Sequence, residues 1–62
     1  MDEEKRRKFL KVYNNLPLGI REEVIYVLDN KPMTWNAVFI EVNAKTEIGE
    51  KILEKLSELK II

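Results

Sequence analysis

The segment Arg21-Glu22-Glu23-Val24-Ile25-Tyr26-Val27-Leu28-Asp29-Asn30-Lys31-Pro32-Met33 decides the fold of this chain, because it is compatible with two structures. Its apolar residues recur at helical spacing, and Arg21-Glu22-Glu23 is typical of a helix start. The run Val24-Ile25-Tyr26-Val27 is also strongly strand-forming, and Asp29-Asn30 tolerates the positive φ angles of a hairpin turn. We expect a helix followed by a turn, and a short β-hairpin at about 23–34 is the alternative.

Two amphipathic helices are predicted on the C-terminal side of this segment, and each begins after a threonine that is a good N-cap. Thr34 precedes an apolar stripe at helical spacing: Trp35, Val38, Phe39 and Val42. Thr46 precedes a second stripe: Ile48, Ile52, Leu56 and Leu59. Asn43 can adopt the left-handed conformation that ends a helix. The sequence therefore predicts helices at 34–42 and 46–59, joined by a short polar turn.

An N-terminal helix is predicted at about 2–15. Asp2 can cap it, and Leu16-Pro17 ends it, because a residue before proline is pushed out of the helical region. If residues 21–33 begin with a helix, as we expect, the fold class is mainly α. The predicted fold is then a three- to four-helix bundle with a helix-turn-helix core at 20–60 and no complete wing. The alternative fold is α+β, with the hairpin at about 23–34. In both cases, residues 1–62 form a single domain.

Composition excludes several classes of protein. The chain has no cysteine and no histidine, so we expect no disulfide, metal site or cofactor. It also lacks a glycine-rich phosphate loop or a paired carboxylate in an apolar run, so we expect no enzyme and no small-molecule substrate. No apolar run approaches the ~20 residues that span a bilayer, and no signal-peptide pattern is visible in the sequence. We therefore expect no membrane association and a cytoplasmic location. The absence of cysteine, histidine and glutamine, with many lysines, glutamates and isoleucines, resembles thermophile proteins.

Charge is balanced, with eleven basic and eleven acidic residues. This balance argues against a protein that coats nucleic acid without specificity, but it permits a local basic patch. The run Lys5-Arg6-Arg7-Lys8, with Lys11, is the densest basic segment. It is either a solvated helix face paired with the acidic residues before it or an anion contact, and Lys5 and Lys11 are its freest members.

From about Ile20 to Ile62, the order of predicted elements resembles the helix-turn-helix core of a winged-helix domain. A helix, the turn Lys31-Pro32-Met33-Thr34, a short helix, a polar turn and a longer helix follow one another. The segment 49–62 is similar to a recognition helix that runs into a first wing strand. The resemblance covers about two thirds of the chain and implies a small helix-turn-helix protein that binds duplex DNA, with transcriptional regulation as its candidate role.

The resemblance implies DNA contacts from the polar residues of this core: Lys31, Thr34, Asn36, Lys45, Thr46, Lys51 and Lys55. Lys45, Thr46 and the free backbone N–H groups at the start of the last helix would hold a phosphate. The last helix itself has four glutamates, at positions 47, 50, 54 and 58, against three lysines, at 51, 55 and 60.

A second hypothesis uses the same scaffold for a non-catalytic protein-interaction or assembly module. Its interface would be an apolar patch formed by Trp35, Ile61 and Ile62. An apolar terminus on a chain with a thin core also favours self-association, so we expect a homodimer or a protein partner.

Overall fold

The computed structural model describes residues 1–62 and contains three α-helices and one two-stranded antiparallel sheet. The elements in chain order are α1 (Glu3–Asn14), a single 3₁₀ turn (Ile20–Glu22), β1 (Val24–Leu28), β2 (Lys31–Thr34), α2 (Trp35–Asn43) and α3 (Glu47–Glu58). The fold is therefore α+β. The expected three- to four-helix bundle is wrong, and the hairpin alternative at about 23–34 is correct.

The hairpin forms because its turn and its strands suit an extended backbone. Asp29 and Asn30 both have positive φ, 48° and 66°, as a two-residue turn of the kind that matches strand twist requires. The helix expected from Arg21-Glu22-Glu23 stops after a single 3₁₀ turn, and Glu23 is already extended. Its carbonyl oxygen accepts a hydrogen bond from the N–H of Trp35, 3.2 Å away, which fastens the base of the hairpin to the start of α2.

The three predicted N-caps are confirmed. The Asp2 carboxylate accepts hydrogen bonds from the backbone N–H groups of Glu4 and Lys5. The Thr34 hydroxyl accepts from Ala37 at 3.1 Å, and the Thr46 hydroxyl accepts from Gly49 at 3.0 Å. Since each cap satisfies donors that the first turn leaves unpaired, the helices begin within one residue of their predicted starts.

The turn between α2 and α3 differs from the prediction in one respect. Lys45, not Asn43, adopts the left-handed conformation, with φ of 56°, and α2 continues to Asn43. The Thr46 hydroxyl, besides capping α3, donates to a carboxylate oxygen of Glu41 at 2.8 Å. The two helices are thus joined by three residues, 44–46, whose polar groups are tied to the end of α2.

A cluster of buried side chains forms the core between the helices and the inner face of the hairpin. Its members are Phe9, Tyr13, Met33, Trp35, Val38, Val42, Ile52, Leu53 and Leu56. On α3 the buried stripe is rotated from the predicted one. Ile48 and Leu59, expected inside, are 42% and 63% exposed, whereas Gly49 and Leu53 are buried. The rotation follows from the close contact that Gly49 makes with α2.

Candidate interaction surface

The three uncharged residues among the predicted DNA contacts have polar groups that form hydrogen bonds within the chain. The Thr34 and Thr46 hydroxyls cap α2 and α3. The Asn36 side-chain oxygen accepts a hydrogen bond from the Tyr13 hydroxyl at 2.6 Å, and Asn36 is half-buried. A phosphate at the start of α3 would compete with the Thr46 cap for the same backbone N–H group.

The four predicted lysines lie on three different elements. Lys31 begins β2, Lys45 is in the turn between α2 and α3, and Lys51 and Lys55 are one turn apart on α3; all four are exposed. The Lys45 ammonium lies 4.0 Å from a Glu3 carboxylate oxygen, and that of Lys55 lies 3.5 Å from Glu58.

The exposed face of α3 is acidic. Its exposed charged residues are four glutamates and two lysines: Glu47, Glu50, Glu54, Glu58, Lys51 and Lys55. Phosphates approaching this face would meet more carboxylates than ammonium groups, and at low salt that repulsion is least screened. The helix that the winged-helix resemblance assigns to the major groove therefore opposes DNA electrostatically.

The three residues predicted for a protein interface differ in how exposed their side chains are. Trp35 is only 8% exposed, and its ring stacks on that of Phe9 with centroids 5.8 Å apart. Ile62 is half-buried against the core, and Ile61 is 39% exposed. The tryptophan thus stabilises the core and offers almost no surface to a partner.

An open groove of about 520 Å³ lies beside the C-terminal half of α1. Its lining residues are Lys8, Lys11, Val12, Asn15, Leu16 and Ile62. It brings together Lys11, one of the freest basic residues of the sequence, and Ile62. Lys8 is already paired with Glu4 at 3.6 Å, as the helical spacing predicts.

The outer face of the hairpin is an apolar surface that the sequence interpretation missed. Val27 pairs with Pro32 across the two strands, so their side chains lie on the same face. Val24 shares that face, because it pairs with Thr34, two residues from Pro32 on β2. Val24 and Val27 are 52% and 61% exposed. The opposite face carries Met33, which is buried in the core. The sequence signal for this surface is the unbroken apolar run of β1. In a strand of a two-stranded sheet, such a run leaves apolar side chains on the exposed face.

The outer edge of β1 is unpaired. Pro32 has no N–H, so the Val27–Pro32 pair is one that exchanges no ladder hydrogen bonds. The backbone N–H and C=O of Val27 therefore point away from β2. Strand β1 contains no proline or charged residue, two of the devices with which proteins protect an edge. Its register shifts between Val24 and Tyr26, a bulge that leaves Ile25 without a partner on β2, so the regular ladder runs from Tyr26 to Leu28. The outer edge of β2, by contrast, lacks a donor at Pro32 and passes directly into α2.

The structure contains no group of three or more acidic, histidine or cysteine side chains placed to hold a metal ion, and no helix long and apolar enough to cross a membrane. Comparison with protein-family models, curated proteins and solved structures found no match to this chain.

Proposed function

We propose that this protein is a non-catalytic protein-binding module that accepts an extended segment of its partner along the free edge of β1. The observation that supports this function is the unpaired edge of β1 beyond its bulge, which presents the N–H and C=O groups of Val27 in a strand of five apolar residues. Edge strands of this kind pair readily with another chain, and main-chain hydrogen bonds supply the affinity.

The hairpin has a second property that suits this function. An isolated two-stranded sheet is only marginally stable, and a third strand would extend the ladder. The inner face of the hairpin is fixed to the core by Met33, and its base is fixed by the bond from Trp35 to Glu23. The edge is therefore held in an extended conformation before binding, which lowers the entropy that binding loses.

DNA binding remains a competing proposal, supported by one observation. Helices α2 and α3 pack closely across a three-residue turn, as in a helix-turn-helix unit. The hairpin, however, replaces the helix that would complete a three-helix core, and the exposed face of α3 is acidic. A titration of duplex DNA at low salt tests it, because even non-specific binding gives affinity that falls steeply as salt rises.

Binding at the edge of β1 is tested by placing a photo-crosslinking residue at position 27. The variant is produced in the cells that make the protein, and illumination links it to whatever protein lies against the edge. The crosslinked partner is purified and titrated into the ¹⁵N-labelled chain. We expect the amide resonances of Ile25 and Val27 to shift, and the Val27 amide to become protected from hydrogen exchange. Val27→Lys should weaken binding at least tenfold, because it places a charge on the apolar face at the edge.

Leu59→Lys is the matched control, because Leu59, the residue that follows α3, is 63% exposed and Val27 is 61% exposed. It should leave the affinity unchanged. If Leu59→Lys weakens binding and Val27→Lys does not, or if crosslinking at position 27 yields no protein, the edge is not the binding surface. Duplex binding with a steep salt dependence would support the DNA proposal in its place.

A further inference from the structure

We infer that the partner segment is a strand with basic residues at its ends, and that the edge of β1 rejects a second copy of itself. This inference rests on the proposed function and names the chemistry of the partner. It is carried by the distribution of charge around β1: the strand is apolar, and the residues that flank it at both ends are acidic.

Both ends of β1 carry exposed carboxylates. Glu22 and Glu23 directly precede the strand, and Asp29 directly follows it. None of the three takes part in an ion pair, since the five ion pairs of the chain use other carboxylates, those of Glu3, Glu4, Glu50 and Glu58. Their charge is therefore available to a partner.

The nearest basic residues in sequence do not cancel this charge. The Arg21 side chain is directed toward α1, where its guanidinium lies 4.4 Å from the centre of the Tyr13 ring. Its Nε donates to the Tyr13 carbonyl oxygen at 3.2 Å. Lys31 belongs to β2 and pairs with Leu28, so a strand added to β1 would be separated from it by the whole width of β1.

A second copy paired antiparallel along β1 would place the start of each strand near the end of the other. Glu22 and Glu23 of one copy would then lie close to Asp29 of its neighbour, at both ends of the shared ladder. Like charges facing each other across strands are destabilising. A strand of similar length with lysine or arginine at both ends would instead meet opposite charge at each end, in either direction.

The test uses two synthetic ten-residue peptides with the same central alternation of valine and threonine. One has two lysines at each end, and the other has two glutamates at each end. Each is titrated into the ¹⁵N-labelled full chain at low salt, and the shifts of the Ile25 and Val27 amides are followed. The lysine peptide should bind about tenfold more tightly, since three exposed charge contacts change sign between the two peptides. The difference should shrink at high salt.

The double substitution Glu22→Lys and Glu23→Lys should remove or reverse this preference. The control is Glu47→Lys with Glu54→Lys on α3, which changes the net charge equally at exposed residues that form no ion pair. If the hairpin variant does not fold, as judged by its thermal transition, Glu22→Gln with Glu23→Gln replaces it and should reduce the preference.

The other possible results of these titrations each contradict a different part of the proposal. Equal binding of the two peptides with shifts at Ile25 and Val27 overturns the charge selection and leaves strand addition intact. No shift of these two amides with either peptide overturns both the selection and the proposed function. An equal loss of preference in the α3 control shows that net charge, not the edge, decides. A dimer whose interface maps to β1 overturns the rejection of a second copy.

Discussion

Glu41 and Gly49 approach so closely that a Cβ atom on Gly49 would lie 2.7 Å from the carbonyl oxygen of Glu41. A gain of about 1 kcal/mol in helix propensity would ordinarily favour Gly49→Ala. The contact is with backbone, which cannot rotate away, so α2 and α3 would have to separate. Overpacking of this kind costs about 1–3 kcal/mol. The net of these two effects is a loss, so we expect Gly49→Ala to lower the free energy of unfolding by up to about 2 kcal/mol, measured by chemical denaturation.

Gly19→Ala is the control for this prediction. A Cβ atom there would have no neighbour within 4 Å, and the φ of Gly19 is −64°, which alanine adopts without strain. Alanine restricts the unfolded chain, so this variant should be neutral or up to about 1 kcal/mol more stable. Equal destabilisation by both substitutions would show that the α2–α3 contact is looser than described.

The Tyr13 hydroxyl should contribute measurably to stability. It donates to the Asn36 side-chain oxygen at 2.6 Å in a partly buried environment. Tyr13→Phe leaves the ring stacked on Phe39 but removes this hydrogen bond, so the free energy of unfolding should fall by about 1 kcal/mol. Tyr26→Phe is the comparison, because the only tyrosine hydroxyl that bonds within the chain is that of Tyr13. It should change stability by less than about 0.5 kcal/mol.

The hairpin turn offers a stabilising substitution. Asn30 has φ of 66°, a conformation that glycine adopts without steric cost, and Asp-Gly is among the sequences preferred for this turn. We expect Asn30→Gly to raise the thermal midpoint slightly and Asn30→Ala to lower it. The strand–strand pairing of Leu28 with Lys31 should persist in both variants, as shown by their amide exchange. A lower midpoint for the glycine variant would contradict the positive φ.

We expect the Thr46 hydroxyl to contribute more to the free energy of unfolding than an ordinary N-cap does. It accepts from Gly49 and also donates to the Glu41 carboxylate at 2.8 Å, so it joins the turn to both helices. Thr46→Ala should lower the free energy of unfolding by about 1–2 kcal/mol, whereas Thr46→Ser, which keeps the hydroxyl, should retain most of it. Equal losses in the two variants would assign the effect to the methyl group.

The helices could be predicted from the sequence because their signals are local. The caps at Asp2, Thr34 and Thr46 fixed their starts, and the periodicity of Trp35, Val38 and Val42 fixed the buried face of α2. The buried face of α3 depended on the close approach of Gly49 to α2, which is a tertiary contact. Periodicity alone therefore assigned Ile48 and Leu59 to the wrong side.

The hairpin could be stated only as an alternative, because residues 21–28 satisfy helical spacing and strand composition together. Contacts with the rest of the chain decide between helix and strand. The N–H of Trp35 donates to the Glu23 carbonyl oxygen, and Met33, on the second strand, is buried in the core. The candidate surface was missed for the same reason. An exposed Val27 is recognisable as an edge residue only when the strand and its single neighbour are known. The DNA contacts were assigned by element order, which does not show that hydroxyls at 34 and 46 are already engaged.

Pro32 makes the two outer edges of this sheet unequal as sites for strand addition. An incoming chain can pair with β1, whereas Pro32 removes a donor from the outer edge of β2, so direct pairing with the hairpin is open on one side only. Complexes formed in this way would have one partner per module, and the module would terminate a growing β-ribbon instead of propagating it.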